Sequence, residues 1–293
     1  MSAIAWICAA GAIVLWASFA TLVSHAPDVP PLLLTGLALI SGSATSLHRA
    51  REWRVPLRTM MFGVVCLFVY HASLVAAFRL SPIATANLVH YLWPLLLVLL
   101  GTSAWRGAQW VSKLAGALIG FAGCVVAINS GPDTTVFSSM YAVGYSMALL
   151  AAVVWAVYSL GTRWLPPHSS WAVGGFCLGA GLLAIFSHFL FEPRFALSGS
   201  NVAWIAAIGL GPLGISFVLW DFALRRASAS RIGILAYGTP VLSMLSLALA
   251  GKYSDCDWSA ILVAGVLIVA GVGVASLGPL TMQRETLVQK REL

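Results

Sequence analysis

Asn87, His90, Tyr91 and Pro94 follow one another at spacings of three, one and three inside an otherwise apolar stretch of this 293-residue chain. On a helix that spacing gathers them on one face. Gly233, Tyr237 and Pro240 repeat the pattern in a later stretch, and Tyr70, His71 and Ser73 stand together in an earlier one. Trp16, Trp93, Trp155 and Tyr158 lie equally deep in apolar sequence, away from the interfacial belts where lipid-anchoring tryptophans belong. Groups of these types bind rather than make bonds. Aromatic faces hold apolar groups or an ammonium by cation–π attraction, while Tyr, His and Asn hydrogen-bond a carboxylate. Together they suit a zwitterionic solute with a variable side chain. Helix–helix packing is an equal alternative for any one ring taken singly.

The components of catalysis are missing. Asp221 is the one carboxylate inside an apolar stretch, and Arg225, four residues on, is its expected ion-pair partner. No H-E-x-x-H occurs. Gly209-Leu210-Gly211-Pro212-Leu213-Gly214 spells a dinucleotide fingerprint, but it lies in an apolar run with no preceding strand and no later acid. We read it as close helix packing, like Gly116-x-x-x-Gly120 and Gly175-x-x-x-Gly179. The five cysteines (Cys8, Cys66, Cys124, Cys177 and Cys256) form no C-x-x-C pair. No catalytic residue, metal or cofactor is expected. For His71 and His90 two readings stay open: proton carriers, since imidazole titrates near neutrality, or neutral side chains held by hydrogen bonds. Without a buried carboxylate relay, facilitated passage down a gradient is favoured.

The elements that must position these residues are membrane helices. Hydrophobic residues make up 60% of the chain and charged residues 9%, against about 25% charged in a soluble domain, and the mean hydropathy is +0.93. Apolar runs fall near 3–23, 31–48, 57–79, 82–104, 111–129, 140–162, 171–191, 202–224, 230–251 and 258–279. Each approaches the ~20 residues that cross a bilayer as a helix, and the runs are too long and continuous for barrel strands. The first lacks a basic leader region and is expected to be a span. Arg49, Arg51, Arg54 and Arg58 follow the second run, Arg106 and Lys113 the fourth, and Arg163 the sixth. Arg225, Arg226 and Arg231 follow the eighth, and Arg284, Lys290 and Arg291 the tenth. The opposite side keeps only Arg79, Arg194 and Lys252. The positive-inside rule then places both termini in the cytoplasm of a multi-pass bacterial inner-membrane protein. The excess of basic residues marks topology and calls for no nucleic acid.

The ten spans read as two halves, 1–134 and 135–293. Trp16-Ala17 matches Trp155-Ala156, and Tyr91-Leu92-Trp93-Pro94 matches Tyr237-Gly238-Thr239-Pro240, 146 residues later. Ala115-Gly116 and Ala122-Gly123 find echoes in Ala264-Gly265 and Ala270-Gly271, and Arg79 in Arg225. Five spans per half is an odd number, so the second half runs inverted, a recurrent transporter design. Pro94 and Pro240 form a matched pair of helix breaks, expected to act as hinges.

These features resemble the drug/metabolite transporter superfamily, and the aromatic third and fourth spans resemble its aromatic amino-acid exporter branch. The resemblance implies an all-α polytopic fold of ten helices as two inverted five-helix repeats around a central cavity. It implies export of aromatic and other neutral amino acids and related metabolites by alternating access, with no enzymatic activity. The substrate would meet Trp16, Tyr70, His71, Asn87, His90, Tyr91, Trp93, Trp155, Tyr158 and Tyr237, and the lipid bilayer would surround the protein. A broad-specificity drug, cation or metabolite transporter of the same fold, including a proton-coupled one, is the alternative. Alanine at Trp93 or Trp155 is expected to weaken transport without unfolding the protein.

Overall fold

A computed structural model describes residues 3–81, 83–100, 108–129, 141–161, 164–227, 235–236, 238–251 and 258–276. Every regular element among them is helical. In chain order these are α1 (Ala3–Ala17), α2 (Phe19–Val23), α3 (Pro31–Ser43), α4 (Leu57–Leu80), α5 (Ile83–His90), α6 (Leu92–Leu100) and α7 (Ala108–Asn129). There follow α8 (Ala142–Gly161), α9 (Val173–Phe191), α10 (Gly199–Leu210), α11 (Ser216–Arg226), α12 (Gly238–Leu249) and α13 (Trp258–Ser276). Among the described residues, five continuous stretches are long and apolar enough to cross a membrane: Ile4–Val23, Leu57–Leu80, Ala142–Gly161, Ser170–Phe191 and Gly199–Arg226. Their apolar composition is what lipid demands of helices whose backbone groups are bonded internally.

Several expected spans are not single α-helices: besides the α1–α2 break at Ser18, three others are interrupted. The run 31–48 is α-helical only to Ser43 and continues as 3₁₀ turns over Ala44–Trp53. There the hydroxyls of Ser43, Thr45 and Ser46 donate to the carbonyls of Ile40, Gly42 and Ser43, three residues back, at 2.6, 2.8 and 3.3 Å. Such local bonds compete with the α-helical ladder. The run 82–104 breaks at Tyr91 between α5 and α6. Pro94, three residues on, has no N–H for the carbonyl of His90, and its ring crowds that carbonyl. Between α10 and α11, Gly211–Ile215 forms a π-turn around Pro212.

Packing pairs elements far apart in sequence. α3 lies on α9, α7 on α13, α4 on α8 and α1 on α11. The first two pairs run antiparallel. A Cβ added at Gly36, near the start of α3, would lie 2.7 Å from Ile185, near the end of α9. One at Gly123 would lie 2.9 Å from the carbonyl of Ala264, and one at Gly271 would lie 2.6 Å from that of Gly116. The small-residue stretches are thus contact faces. Gly209 and Gly42 bring α10 and α3 together the same way.

Both ends of the α3–α9 pair carry a carboxylate clamp. Glu192, just past α9, accepts from the backbone N–H groups of Leu32 (2.7 Å) and Leu33 (3.1 Å) at the start of α3, and from His188 Nδ1 at 2.8 Å. At the other end Glu52 accepts from Ser169 Oγ, which accepts in turn from the N–H of Trp171 at 3.2 Å. His48 packs on the Trp171 ring at 4.8 Å. The sequence spells His-x-x-x-Glu-x-Arg at both places, 48–54 and 188–194.

The close approach of α10 to α3 is testable. A Cβ at Gly209 would sit 2.5 Å from the carbonyl oxygen of Ala38, whereas one at Gly199, on the same helix, meets nothing within 4 Å. Gly209→Ala is expected to cost ~1–3 kcal/mol as overpacking and lower the thermal midpoint in detergent, with Gly199→Ala near wild type. Equal midpoints for the two variants would refute the contact.

Candidate functional site

Breaks in the helices converge on one cavity. Its walls come from α1–α2 (Trp16, Phe19, Ala20), α4 (Tyr70, His71, Leu74), α5–α6 (Asn87, His90, Tyr91, Trp93), α8 (Trp155), the π-turn and α11 (Leu213, Phe217), and α12 (Thr239, Ser243). Of the ten side chains expected to meet a substrate, eight line it: Trp16, Tyr70, His71, Asn87, His90, Tyr91, Trp93 and Trp155. Tyr158 stands one turn further along α8, buried behind Trp155 and stacked on it at 5.3 Å, not on the wall. Tyr237 lies outside the described residues. Pro94 is buried just beyond the α5–α6 break, and Pro240 is buried in the first turn of α12.

The apolar side of the cavity is a cluster of indoles. Trp16 meets Trp155 edge to face at 5.4 Å and Trp220 at 4.8 Å, while Trp93 meets Trp155 at 6.3 Å and Trp220 at 5.5 Å. Edge-to-face geometry sets the positive rim of one ring on the negative face of the next. Hydrogen bonds fix two of the indoles. Trp16 Nε1 donates to the carbonyl of Pro212 at 3.1 Å, and Trp220 Nε1 donates to Ser159 Oγ at 3.3 Å. The Pro212 carbonyl, at the π-turn, also accepts from Ser216 Oγ.

The rest of the lining carries polar groups, and among the described residues no Asp, Glu, Lys or Arg lines the cavity. Tyr70 Oη and His90 Nε2 are 3.2 Å apart, and His71 Nδ1 donates to the carbonyl of Leu67 at 2.8 Å. His71 Nε2, His90 Nδ1 and Thr239 Oγ1 are buried without a hydrogen-bond partner. Buried polar atoms left unpaired are costly, and three of them belong to residues that line one cavity. The open space at the centre is about 40 Å³, room for a few waters and short of the ~300–1,000 Å³ of a small-molecule pocket. The rings must separate to admit an organic solute.

Residues 142–277 match the EamA-like transporter family. The aromatic amino acid exporter YddG of Ancylobacter novellus is 37% identical over 273 residues, covering 91% of this chain and 94% of that one. This chain belongs to the EamA-like transporter family. A probable terminal-alkyne amino-acid exporter of Streptantibioticus cattleyicolor is 28% identical, over 72% of this chain and 67% of its own. A crystal structure at 37% identity superposes with a TM-score of 0.80, covering 93% of this chain and 97% of that chain. The resemblance to the drug/metabolite transporter superfamily and its aromatic amino-acid exporter branch is borne out.

The sequence did not single out several residues of this EamA-like site: Phe19, Leu74, Leu213, Phe217, Thr239 and Ser243 on the wall, and Trp220 in the indole cluster. A signal existed for Phe217. It falls 146 residues after His71, the offset that relates Tyr91 to Tyr237, and the two rings lie 5.4 Å apart. Asp221 and Arg225 form the expected i,i+4 pair, Arg225 Nε donating to Asp221 Oδ2 at 2.6 Å. Among the described residues, no group of three or more His, Cys, Asp or Glu side chains could hold a metal ion.

Burial corrects the expectation that alanine at Trp93 or Trp155 spares the fold. Both are 2% exposed or less, and the Trp155 ring also packs on Tyr70 at 4.7 Å and Phe217 at 5.5 Å. Trp155→Ala is expected to cost ~3–5 kcal/mol and Trp155→Phe markedly less, read as thermal midpoints in detergent. If the two variants melt together, the ring cluster is not packed as described.

Proposed function

We propose that this chain exports aromatic and other large neutral amino acids through the cavity described above. The observation that carries the reading is the combination, in the lining of one cavity, of indole rings and uncharged hydrogen-bonding groups. An apolar side chain fits the first by ring contact, and an ammonium fits it by cation–π attraction. His90 Nδ1, Thr239 Oγ1 and the amide of Asn87 offer bonds to a carboxylate, while His71 Nε2, whose ring proton is on Nδ1, offers its lone pair to the ammonium. The names of two relatives, an aromatic amino acid exporter and a probable terminal-alkyne amino-acid exporter, point to the same class of solute. Trp16, Tyr70, Tyr91, Trp93 and Trp155 would contact the substrate, Tyr158 would back them, and Tyr237 would join from the ninth span.

The architecture proposed for this function is ten transmembrane helices in two inverted halves, 1–134 and 135–293. Three features support it. Packing partners exchange under a shift of five spans: α1 on α11 answers α8 on α4, α3 on α10 answers α9 on α4, and α1 on α12 answers α8 on α6. The elements that would map onto each other, α3 with α9 and α7 with α13, pack antiparallel. The His-x-x-x-Glu clamps sit at opposite ends of the α3–α9 pair. Alternating access then opens one mouth at a time, with Pro94 and Pro240 as hinges. The bacterial inner membrane is the proposed location, with both termini cytoplasmic from the distribution of basic residues.

The unpartnered nitrogens of His71 and His90, two residues of the cavity lining, favour one second reading, exchange coupled to protons. One experiment addresses both. In counterflow with purified protein in liposomes, labelled phenylalanine, tryptophan and leucine should accumulate saturably, and an imposed pH gradient should leave their steady-state distribution unchanged. Accumulation driven by the gradient would favour proton coupling, while a non-saturable leak or no amino-acid flux would overturn the proposal.

A further inference from the structure

Two arginines that share no contact hold equivalent positions in the fold. His71, Val75 and Arg79 form an i, i+4, i+8 stripe on α4 running ~12 Å from the cavity wall to the end of the helix. Phe217, Asp221 and Arg225 form the same stripe on α11, and each is 146 residues on from its counterpart. The ends of the stripes grip equivalent loops. Arg79 Nη2 donates to the carbonyls of Ala26 at 2.8 Å and Val29 at 3.3 Å, in the connection between α2 and α3. Arg225 Nη2 donates to His168 Nε2 at 3.0 Å, in the connection between α8 and α9. Val29 and His168 are 139 residues apart, the separation of Trp16 from Trp155.

The two grips differ in chemistry. Arg79 bonds carbonyls only, with Asp28 of the same loop as the acid facing it. Arg225 is clasped by both oxygens of Asp221, at 2.6 and 3.3 Å, and in addition by an imidazole. The tautomer of that imidazole is fixed. His168 Nδ1 lies 2.8 Å from the carbonyl of Pro166, which can only accept. The ring proton is therefore on Nδ1, and Nε2 offers its lone pair to Arg225. Protonation at Nε2 replaces that acceptor with a donor and sets a second cation against the guanidinium. Among the described residues, the other groups around His168 do not offset this. Asp221 is engaged by Arg225, and Tyr158 of α8 lies in electrostatic reach of that pair. Glu52 is held by Ser169 and Arg49. α9 presents the Phe176 ring at 6.0 Å, and Arg226 lies over Phe222.

We propose that Arg79 and Arg225 are the latches of the two mouths of the transporter, and that His168 makes the Arg225 latch release on acidification. Rupture of either grip frees the end of a cavity-lining helix from the loop beside it, which opens the path along that stripe. The inference rests on the alternating-access reading above, in which the Arg225 mouth faces the cytoplasm and the Arg79 mouth the periplasm. Latches of unequal strength give the two open states unequal populations, so the carbonyl-held Arg79 mouth is the one that opens more readily.

The test uses Ser243→Cys, on the cavity wall, as reporter in full-length protein whose native cysteines are replaced. Labelling by a membrane-impermeant thiol reagent is measured in right-side-out and inside-out vesicles. Arg79→Gln should raise periplasmic labelling, and Arg225→Gln should raise cytoplasmic labelling, each by about fivefold or more. Without either variant, moving from pH 8 to pH 5.5, across the range where imidazoles change charge, should raise the ratio of cytoplasmic to periplasmic labelling. Taking the ratio cancels the reagent's own pH dependence. His168→Gln, which keeps an acceptor but cannot become a cation, should abolish that rise. Unchanged labelling in both arginine variants, or a rise from the same face in both, overturns the latches. A pH response that survives His168→Gln overturns the role of His168, and because the pH arm needs no arginine variant, a misfolded one does not protect the proposal. Counterflow by the wild-type protein, measured in parallel, separates the two claims. Flux with unshifted labelling overturns the latches alone, whereas shifted labelling without flux leaves them standing and overturns the substrate reading.

Discussion

Hydrocarbon offers no partner to a backbone N–H or C=O, so every interruption of a membrane helix must be repaired from inside the protein. The site stands where such repairs concentrate. At Ser18, between α1 and α2, the side-chain hydroxyl donates to the carbonyl of Leu15 at 2.7 Å. At the π-turn the carbonyl of Pro212 takes the Trp16 indole and the Ser216 hydroxyl, and Leu213 takes the Cys177 thiol at 3.6 Å. The repair of α10–α11 by Trp16 also fixes the orientation of the indole against which Trp155 and Trp220 pack. A break in one helix therefore orients the cavity wall contributed by another.

The long spans were legible because lipid selects apolar composition over a length no soluble helix needs. The helix breaks at Tyr91 and around Pro212 were legible only in part. Pro94 announced the first, but the same residue type gave no hint that Pro212 would yield a π-turn rather than a kink. The candidate site was read from residues whose polarity is anomalous in an apolar run, and eight of those side chains line the cavity. Phe19, Leu213 and Phe217 escaped because an apolar side chain that faces the cavity has the same chemistry as one that faces lipid. Only the rotation of each helix within the bundle separates them. Trp220 was hidden by its neighbours, since a tryptophan beside Asp221 and Arg225 resembles an interfacial anchor. The His-x-x-x-Glu clamps went unread because their meaning lies in the helix start each carboxylate reaches, far away in sequence.

Under the proposed inverted repeat, the halves have kept their packing faces and diverged at the cavity. His71 corresponds to Phe217, Val75 to Asp221, His90 to Ala236 and Trp93 to Thr239. Most of the hydrogen-bonding wall comes from the first half, and the second supplies Thr239 and Ser243. Packing faces tolerate little change because glycine contacts such as Gly36 on α9 and Gly271 on α7 leave no room for a methyl group. At the cavity the same offset pairs unlike side chains, although rings such as Trp155 remain part of the packing. A symmetric scaffold can in this way hold an asymmetric site that orients an amphipathic solute.

The distant pairing of helices has a consequence for how the chain is made. The partners of α1 are α11 and α12, and those of α3 are α9 and α10, so α1 waits for roughly 200 residues to be synthesised before its main partner exists. At ~5–20 residues per second that is a delay of about ten to forty seconds, during which the Trp16 indole has no π-turn carbonyl to bond. α1 must therefore persist in the bilayer as a separate inserted unit, stable by its own backbone bonding, and acquires its main neighbours only when the last third of the polypeptide has left the ribosome.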